Sequence, residues 1–223
     1  MTFVVLSNRP WNSETALRLS TRNLGEFILV SDKTELTTAN LSDQNVTKIF
    51  VAHWSSIIPP EIYASFETII FHMTDLPFGR GGSPLQNLIV RGYKSTKITA
   101  LRCTAEIDGG PIYLKEDLSL DGSAEEVFIR ADLIIEEMIV RILLENKEPI
   151  EQVGPPVIFQ RRQSSESEIP PGLTEEQLYD FIRMLDAPGY PHAYFLIGRT
   201  RLVFTQATFV EGVLTARIET QEV

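Results

Sequence analysis

The chain has one cysteine, Cys103, in 223 residues. A single thiol excludes an intramolecular disulfide and a Cys-x-x-Cys metal site, and Cys103 reads as a core thiol. No apolar run approaches the roughly 18 residues that cross a membrane. No Gly-Lys-Ser/Thr follows the glycines, which rules out a P-loop. There is no internal repeat and no clustered set of metal ligands. Basic runs are also missing, the longest being Arg161-Arg162. With 20 Lys and Arg against 30 Asp and Glu, the net charge is −10. Nucleic-acid affinity rests on clustered cations that neutralise phosphates. The balance therefore argues against a nucleic-acid partner and for a small ligand that needs few cations.

Hydrophobic residues make up 43% and charged residues 22%, as in a soluble globular protein. The length suits one main domain with a small appendage. Met1-Thr2-Phe3-Val4-Val5 reads directly as a strand, without a basic n-region or cleavage site. A cytoplasmic location is expected.

Strands are predicted over Thr2–Leu6, Phe27–Val30, Lys48–Trp54, Thr68–Phe71, Thr96–Cys103 and Pro111–Leu118, from apolar, β-branched runs bounded by turn residues. Short helices are predicted over residues 14–22, from Glu61 to Phe66 and after Ser83-Pro84; residues 33–47 read as loop with little helix. The strongest helix starts at a Ser123/Glu126 capping box. Val127, Ala131, Ile134, Met138 and Ile142 form its core stripe, and Arg130, Asp132 and Glu136 its solvated face. Pro155-Pro156 marks a boundary, and Arg161–Glu168 reads as polar and flexible. A second capping box, Thr174/Gln177, opens a helix to about Leu185, and strands follow near Phe195, Val203 and Leu214. The expected architecture is α/β: a Rossmann-like, mainly parallel sheet with flanking helices over residues 1–150, then a small C-terminal α+β region over 151–223.

Two loops bear chemistry. Ser7-Asn8-Arg9-Pro10-Trp11 follows the first strand, where open α/β sheets meet ligands; Arg9 and Trp11 suit a phosphate and a base. Phe78-Gly79-Arg80-Gly81-Gly82-Ser83-Pro84 permits close backbone approach, with Arg80 as an anion clamp. Between them lies His53, inside a strand and more simply read as a packed histidine. His72 ends the fourth strand, and Asp108 sits in Ile107-Asp108-Gly109-Gly110. A histidine and an aspartate so placed are the parts of an acid–base pair.

The run Ile70-Phe71-His72-Met73-Thr74-Asp75-Leu76-Pro77, with Arg80-Gly81 and the later Ile107–Gly110 turn, resembles the formyltransferase superfamily. That superfamily carries N-x-H-x-S-L-L-P-x-x-R-G followed by L-D-T-G. The resemblance is strongest over about residues 48–145 and continues over about 160–205. It implies the formyltransferase fold and catalytic roles for His72 and Asp108. It implies 10-formyltetrahydrofolate as formyl donor, held by Ser56, Ile58, Asp75, Leu76, Pro77, Thr104, Ala105 and Glu106, with Ile58 and Leu76 against the pterin faces. The reaction it implies is attack of a primary amine on the formyl carbon, a tetrahedral oxyanion, and expulsion of the folate nitrogen.

The acceptor would meet Asn8, Arg9, Trp11, Arg80, Gly81 and Ser83. The His72–Asn87 run looks like sugar N-formyltransferases of the pseudaminic acid pathway, which implies a nucleotide-linked amino sugar as acceptor. The expected partners are that sugar and folate, with no nucleic acid and no membrane, and a homodimer is allowed for. A methionyl-tRNA formyltransferase, a non-catalytic folate- or nucleotide-binding module and an accessory domain of a larger synthetase stay open. Ile70 departs from the pattern, because it stands where the superfamily has an asparagine that helps to hold the formyl oxygen. Asn8, Ser56, Thr74 or backbone N–H groups are the possible replacements.

Overall fold

A computed structural model describes residues 1–146 and 148–222. In chain order the elements are β1 (Thr2–Ser7), α1 (Thr15–Ser20), β2 (Glu26–Val30), α2 (Thr38–Asp43), β3 (Val46–His53), α3 (Pro60–Ser65), β4 (Glu67–His72), β5 (Phe78–Gly81), α4 (Pro84–Ile89), β6 (Ser95–Arg102), β7 (Ile112–Ser119), α5 (Ala124–Glu145), β8 (Val157–Phe159), α6 (Glu175–Arg183), β9 (Ala193–Ile197), β10 (Thr200–Val210) and β11 (Val213–Glu222). The main sheet has the order β2-β1-β3-β4-β6-β7. β1 runs parallel to β2 and β3, β3 parallel to β4, and β4 antiparallel to β6. The fold class is therefore the one expected.

β1 carries Phe3, Val4, Val5 and Leu6, each at most 2% exposed. Such an unbroken apolar run belongs to a strand covered on both faces. Because β1, β3 and β4 are parallel, Asn8, His53 and His72 all lie at one sheet edge, the edge where open α/β folds bind ligands.

The chain forms two compact units. One comprises Met1–Arg80, Lys97–Leu118 and Ile129–Ile158; the other comprises Gly81–Thr96, Ser119–Phe128 and Phe159–Val223. The division does not fall at residue 150, since residues 151–158 stay with the first unit. The second unit holds α6 and a three-stranded antiparallel sheet, β9-β10-β11. Both capping boxes form, Ser123 with Glu126 and Thr174 with Gln177. Among the described residues no helix is long and apolar enough to cross a membrane.

Three local expectations are corrected. The glycine loop is partly strand, because β5 pairs with β8. Residues 161–168 are not free chain. A Gln163/Glu166 capping box opens a 3-10 turn over Ser164–Ser167, and Ser167 is buried and donates to the Pro191 carbonyl at 3.0 Å. The third correction concerns α5. Asp132 and Glu136 are 2% and 5% exposed, so they are not a solvated face. Asp132 accepts from Thr15 Oγ1 at 2.9 Å, from Arg18 Nη2 at 2.8 Å and from Asn12 Nδ2. Arg18 Nε donates to Glu136 at 2.7 Å. Side chains at i and i+4 share one helix face, so one arginine from α1 serves both carboxylates. Burial pushes the Asp132 carboxyl upward in pKa, and these donors act against that shift. Asn12 and Thr15 are fully buried and donate to this carboxylate, so removing it leaves two donors unsatisfied while Arg18 keeps Glu136. Asp132→Ala should lower stability by about 3 kcal/mol, read as a lower urea midpoint at unchanged slope.

Candidate active site

His72 is the last residue of β4 and is 7% exposed. Its Nε2 lies 2.8 Å from the Gly79 carbonyl oxygen, which can only accept, so Nε2 carries a hydrogen. Its Nδ1 lies 3.5 Å from Asp108 Oδ2. The ring thus has an oxygen acceptor at each nitrogen. The segment between His72 and Gly79 is held from below. Thr99 Oγ1 donates to the Thr74 carbonyl at 2.6 Å, and Thr74 Oγ1 donates to the same Gly79 carbonyl at 3.4 Å. Lys115 Nζ reaches the Leu76 carbonyl at 2.6 Å and Asp75 Oδ1 at 2.5 Å.

Asp108 adopts φ +49°, a left-handed conformation that Asp tolerates better than most residues. The turn is seated tightly. A Cβ at Gly110 would lie 1.9 Å from the Arg102 carbonyl oxygen, so only glycine fits. Gln152 Nε2 donates to the carbonyls of Asp108 and Gly110 at 2.8 and 2.9 Å. Gln152 Oε1 accepts from Arg80 Nε at 3.1 Å and Nη2 at 2.8 Å, and Arg80 Nη1 pairs with Glu106 at 2.5 Å. Sequence reasoning missed Gln152, which lies in a loop without periodicity or motif.

The structure brings His72 and Asp108 together, but several predicted binding residues have other occupations. Arg80 is 8% exposed and engaged with Gln152 and Glu106, so it is not an open anion clamp. Gly81 lies against Phe159, where a Cβ would come within 2.5 Å of its carbonyl oxygen. Ser83 Oγ accepts from the Arg162 N–H at 3.1 Å. The glycine loop is thus shaped by contacts inside the protein. Ile58 and Leu76 are 6% and 1% exposed, so their side chains are core and leave only main chain for a ligand. Pro77 and Thr104 are half-buried, while Ser56, Asp75, Ala105 and Glu106 are exposed. Asn8 Nδ2 donates to Ser55 Oγ at 3.1 Å. Asn8 and Ser56 line a cavity of about 350 Å³ with Ser31, Asp32, Lys33 and Trp54. Ile70, two residues before His72 on the same strand face, is half-buried against the core cluster that includes Leu6, Val51 and Cys103.

Arg9 stacks over Trp11 at 5.9 Å, and Trp11 Nε1 donates to His53 Nδ1 at 3.3 Å. Asn12 Oδ1 lies 3.1 Å from the same nitrogen, so His53 Nδ1 stands between Trp11 and Asn12, and Nε2 is out of solvent. Burial, with Arg9 adding to it, pulls the His53 pKa down to about 3. His53 is therefore a neutral, packed histidine that holds the Trp11 loop.

A family model described as "Methionyl-tRNA formyltransferase, C-terminal domain" matches residues 164–221. The structure of a methionyl-tRNA formyltransferase from Clostridium thermocellum superposes with a TM-score of 0.96, at 43% identity, over 100% of both chains. Methionyl-tRNA formyltransferase of Rickettsia massiliae is 28% identical over 128 residues, which are 55% of this chain and 42% of that protein. The chain thus spans about two fifths of that curated relative. A sugar N-formyltransferase from Shewanella superposes with a TM-score of 0.66 at 15% identity, over 100% and 98% of the two chains, a likeness of fold. The chain belongs to the formyltransferase superfamily.

These findings overturn the exclusion of nucleic acid as a partner. The relative matched at 43% over both full chains is named for a tRNA substrate. The charge argument failed because net charge sums every surface, whereas recognition depends on the surface that meets the ligand.

The His53 pKa has a pH consequence. Between its ordinary value of 6.5 and about 3, the unfolded chain binds a proton that the folded chain refuses. Stability from this group should therefore fall by about 1.4 kcal/mol per pH unit as pH drops through that window. Urea titrations from pH 7 to 4 should show this slope in the wild type and a flatter one in His53→Gln.

Proposed function

We propose that the protein transfers a formyl group from 10-formyltetrahydrofolate to the primary amine of methionyl-tRNA. The observation that carries the chemistry is the His72–Asp108 pair, with Nδ1 facing the carboxylate at 3.5 Å. The likeness at 43% identity over both full chains supports the acceptor, ahead of a nucleotide-linked sugar.

Nε2 is committed to Gly79, so Nδ1 is the nitrogen that can exchange a proton with the substrate. A proton taken there from the attacking amine sits beside Asp108, whose negative charge stabilises the imidazolium. The protonated ring then returns the proton to the leaving nitrogen or donates to the formyl oxygen. Asp108 is the orienting and charge-stabilising partner. The formyl donor supplies the one-carbon unit, and the residues present suit it. Ala105, Glu106 and Ile107 are exposed immediately before Asp108, and Ile107 at 67% exposure offers an apolar surface to a heterocycle beside the pair. The family model over residues 164–221 carries the same acceptor in its description, and residues 1–150 supply the catalytic pair.

The test is formylation of methionyl-tRNA with 10-formyltetrahydrofolate, read on acid gels. Wild-type protein should form formylmethionyl-tRNA, and His72→Ala should lose about 10²–10⁴-fold in kcat. Product from an amino-sugar nucleotide alone would overturn the acceptor. No product from either acceptor would overturn transferase function.

Ile70 permits a second test. It shares the His72 face and offers no hydrogen-bond donor. Ile70→Asn should raise kcat by about tenfold or more, because a missing oxyanion donor costs about 10²–10³-fold and a grafted one recovers part of it. An unchanged kcat in a folded variant would mean that another group already fills the role.

A further inference from the structure

We propose that Gln152 is a positioning residue for Asp108 and that Arg80 fixes Gln152 in that task; the inference rests on the transferase reading above. Every hydrogen-bonding position of the Gln152 amide is used. Its two N–H groups meet the Asp108 and Gly110 carbonyls at 2.8 and 2.9 Å. Its oxygen takes two guanidinium donors from Arg80, at 3.1 and 2.8 Å. Reversing the amide would set its oxygen against two carbonyls and its NH₂ against a cation, so only one orientation is possible.

The two carbonyls flank Gly109 and belong to the peptide planes that close the turn. Holding both sets the backbone of Asp108 at its left-handed φ, and with it the direction of the carboxylate. That direction matters because Asp108 Oδ2 stands at 3.5 Å from His72 Nδ1, the outer limit of direct contact. A small relaxation of the turn would separate the pair. Arg80 cannot be replaced by lysine here, since a single ammonium lacks the planar fork that aims two donors at one oxygen. Buried Arg80 and unmotivated Gln152 thereby acquire one shared role. Both act through Asp108.

The discriminating variant is Gln152→Glu. It keeps the shape and the Arg80 contact but replaces two donors with acceptors facing carbonyls. The experiment measures kcat and KM for the formyl donor, and the His72 ring ¹⁵N resonances, in wild type, Gln152→Glu and Arg80→Lys. The chain has three histidines, so a His72→Ala spectrum assigns the ring. The proposal expects about a 100-fold fall in kcat for Gln152→Glu, an unchanged KM, and shifted His72 resonances in a variant that stays folded by circular dichroism but has a lower urea midpoint. Arg80→Lys should shift the same resonances in the same direction. Unmoved His72 resonances with wild-type kcat would overturn it. A raised KM at constant kcat would also overturn it, as Gln152 would then serve binding. If the wild type forms no product, the transferase reading fails, while the ¹⁵N comparison still decides whether Gln152 holds the pair.

Discussion

An imidazole with oxygen acceptors at both nitrogens can donate to only one of them while neutral. His72 is in that position, with the Gly79 carbonyl at Nε2 and Asp108 at Nδ1. Anchoring one nitrogen on a carbonyl removes the choice of tautomer and leaves the other for exchange. Much of the surrounding structure serves to keep those two oxygens in place. The Thr99–Thr74 bond, the Lys115 contacts and the second donor on Gly79 hold the segment after β4. Arg80 and Gln152 hold the Asp108 turn. Asp108 sits in a conformation that a free chain seldom adopts, so its position depends on Gln152, 44 positions away, and through Gln152 on Arg80.

Two charge systems divide the work at the ligand edge of the sheet. Arg18 neutralises Asp132 and Glu136 beneath the loop after β1, and Asn12 links that cluster to Ser7 by a 2.7 Å bond. Arg80 neutralises Glu106 beside the Asp108 turn. In both, a guanidinium serves more than one oxygen through separate donors, a task suited to its planar fork. Ion pairs of this kind are weak contributors to stability, because desolvation of the buried partner and screening of the exposed one cancel much of the attraction. They fix geometry more effectively, since each donor must meet its acceptor along a defined direction. The first system orders Trp11 and His53, and the second orders Asp108.

The fold and the His72–Asp108 pair were legible because both leave local marks. Apolar runs give strands, capping boxes give helix starts, and a strand-end histidine followed by an Asp-Gly turn has a recognisable form. What escaped notice lacked a local mark. Gln152 sits between Pro149 and Pro155 in a loop, and nothing around it announces a partner 44 residues earlier. Asp132 and Glu136 looked solvated because charge on a helix usually is; their burial depends on Arg18 of a different helix, which no window along α5 contains. Arg80 misled for the opposite reason. Its glycine-rich setting suggests a ligand loop, but Gly81 is needed for the close approach of Phe159.

Net charge misled at a larger scale, and the proposed acceptor sharpens the point. The region matched to the C-terminal family model, residues 164–221, has eight Asp and Glu against four Arg and no Lys. A count over a region still does not fix the charge of one face, and affinity for a polyanion follows the number of phosphates neutralised at the face that meets it. Four arginines set on one side would serve that end whatever the sum over the region. At the carboxyl edge of the sheet, Asn8, Lys33 and Trp54 line a cavity and His72 ends β4. Contacts made at such an edge lie close to the reacting atoms, where binding energy can act on the transition state instead of on the bound substrate alone.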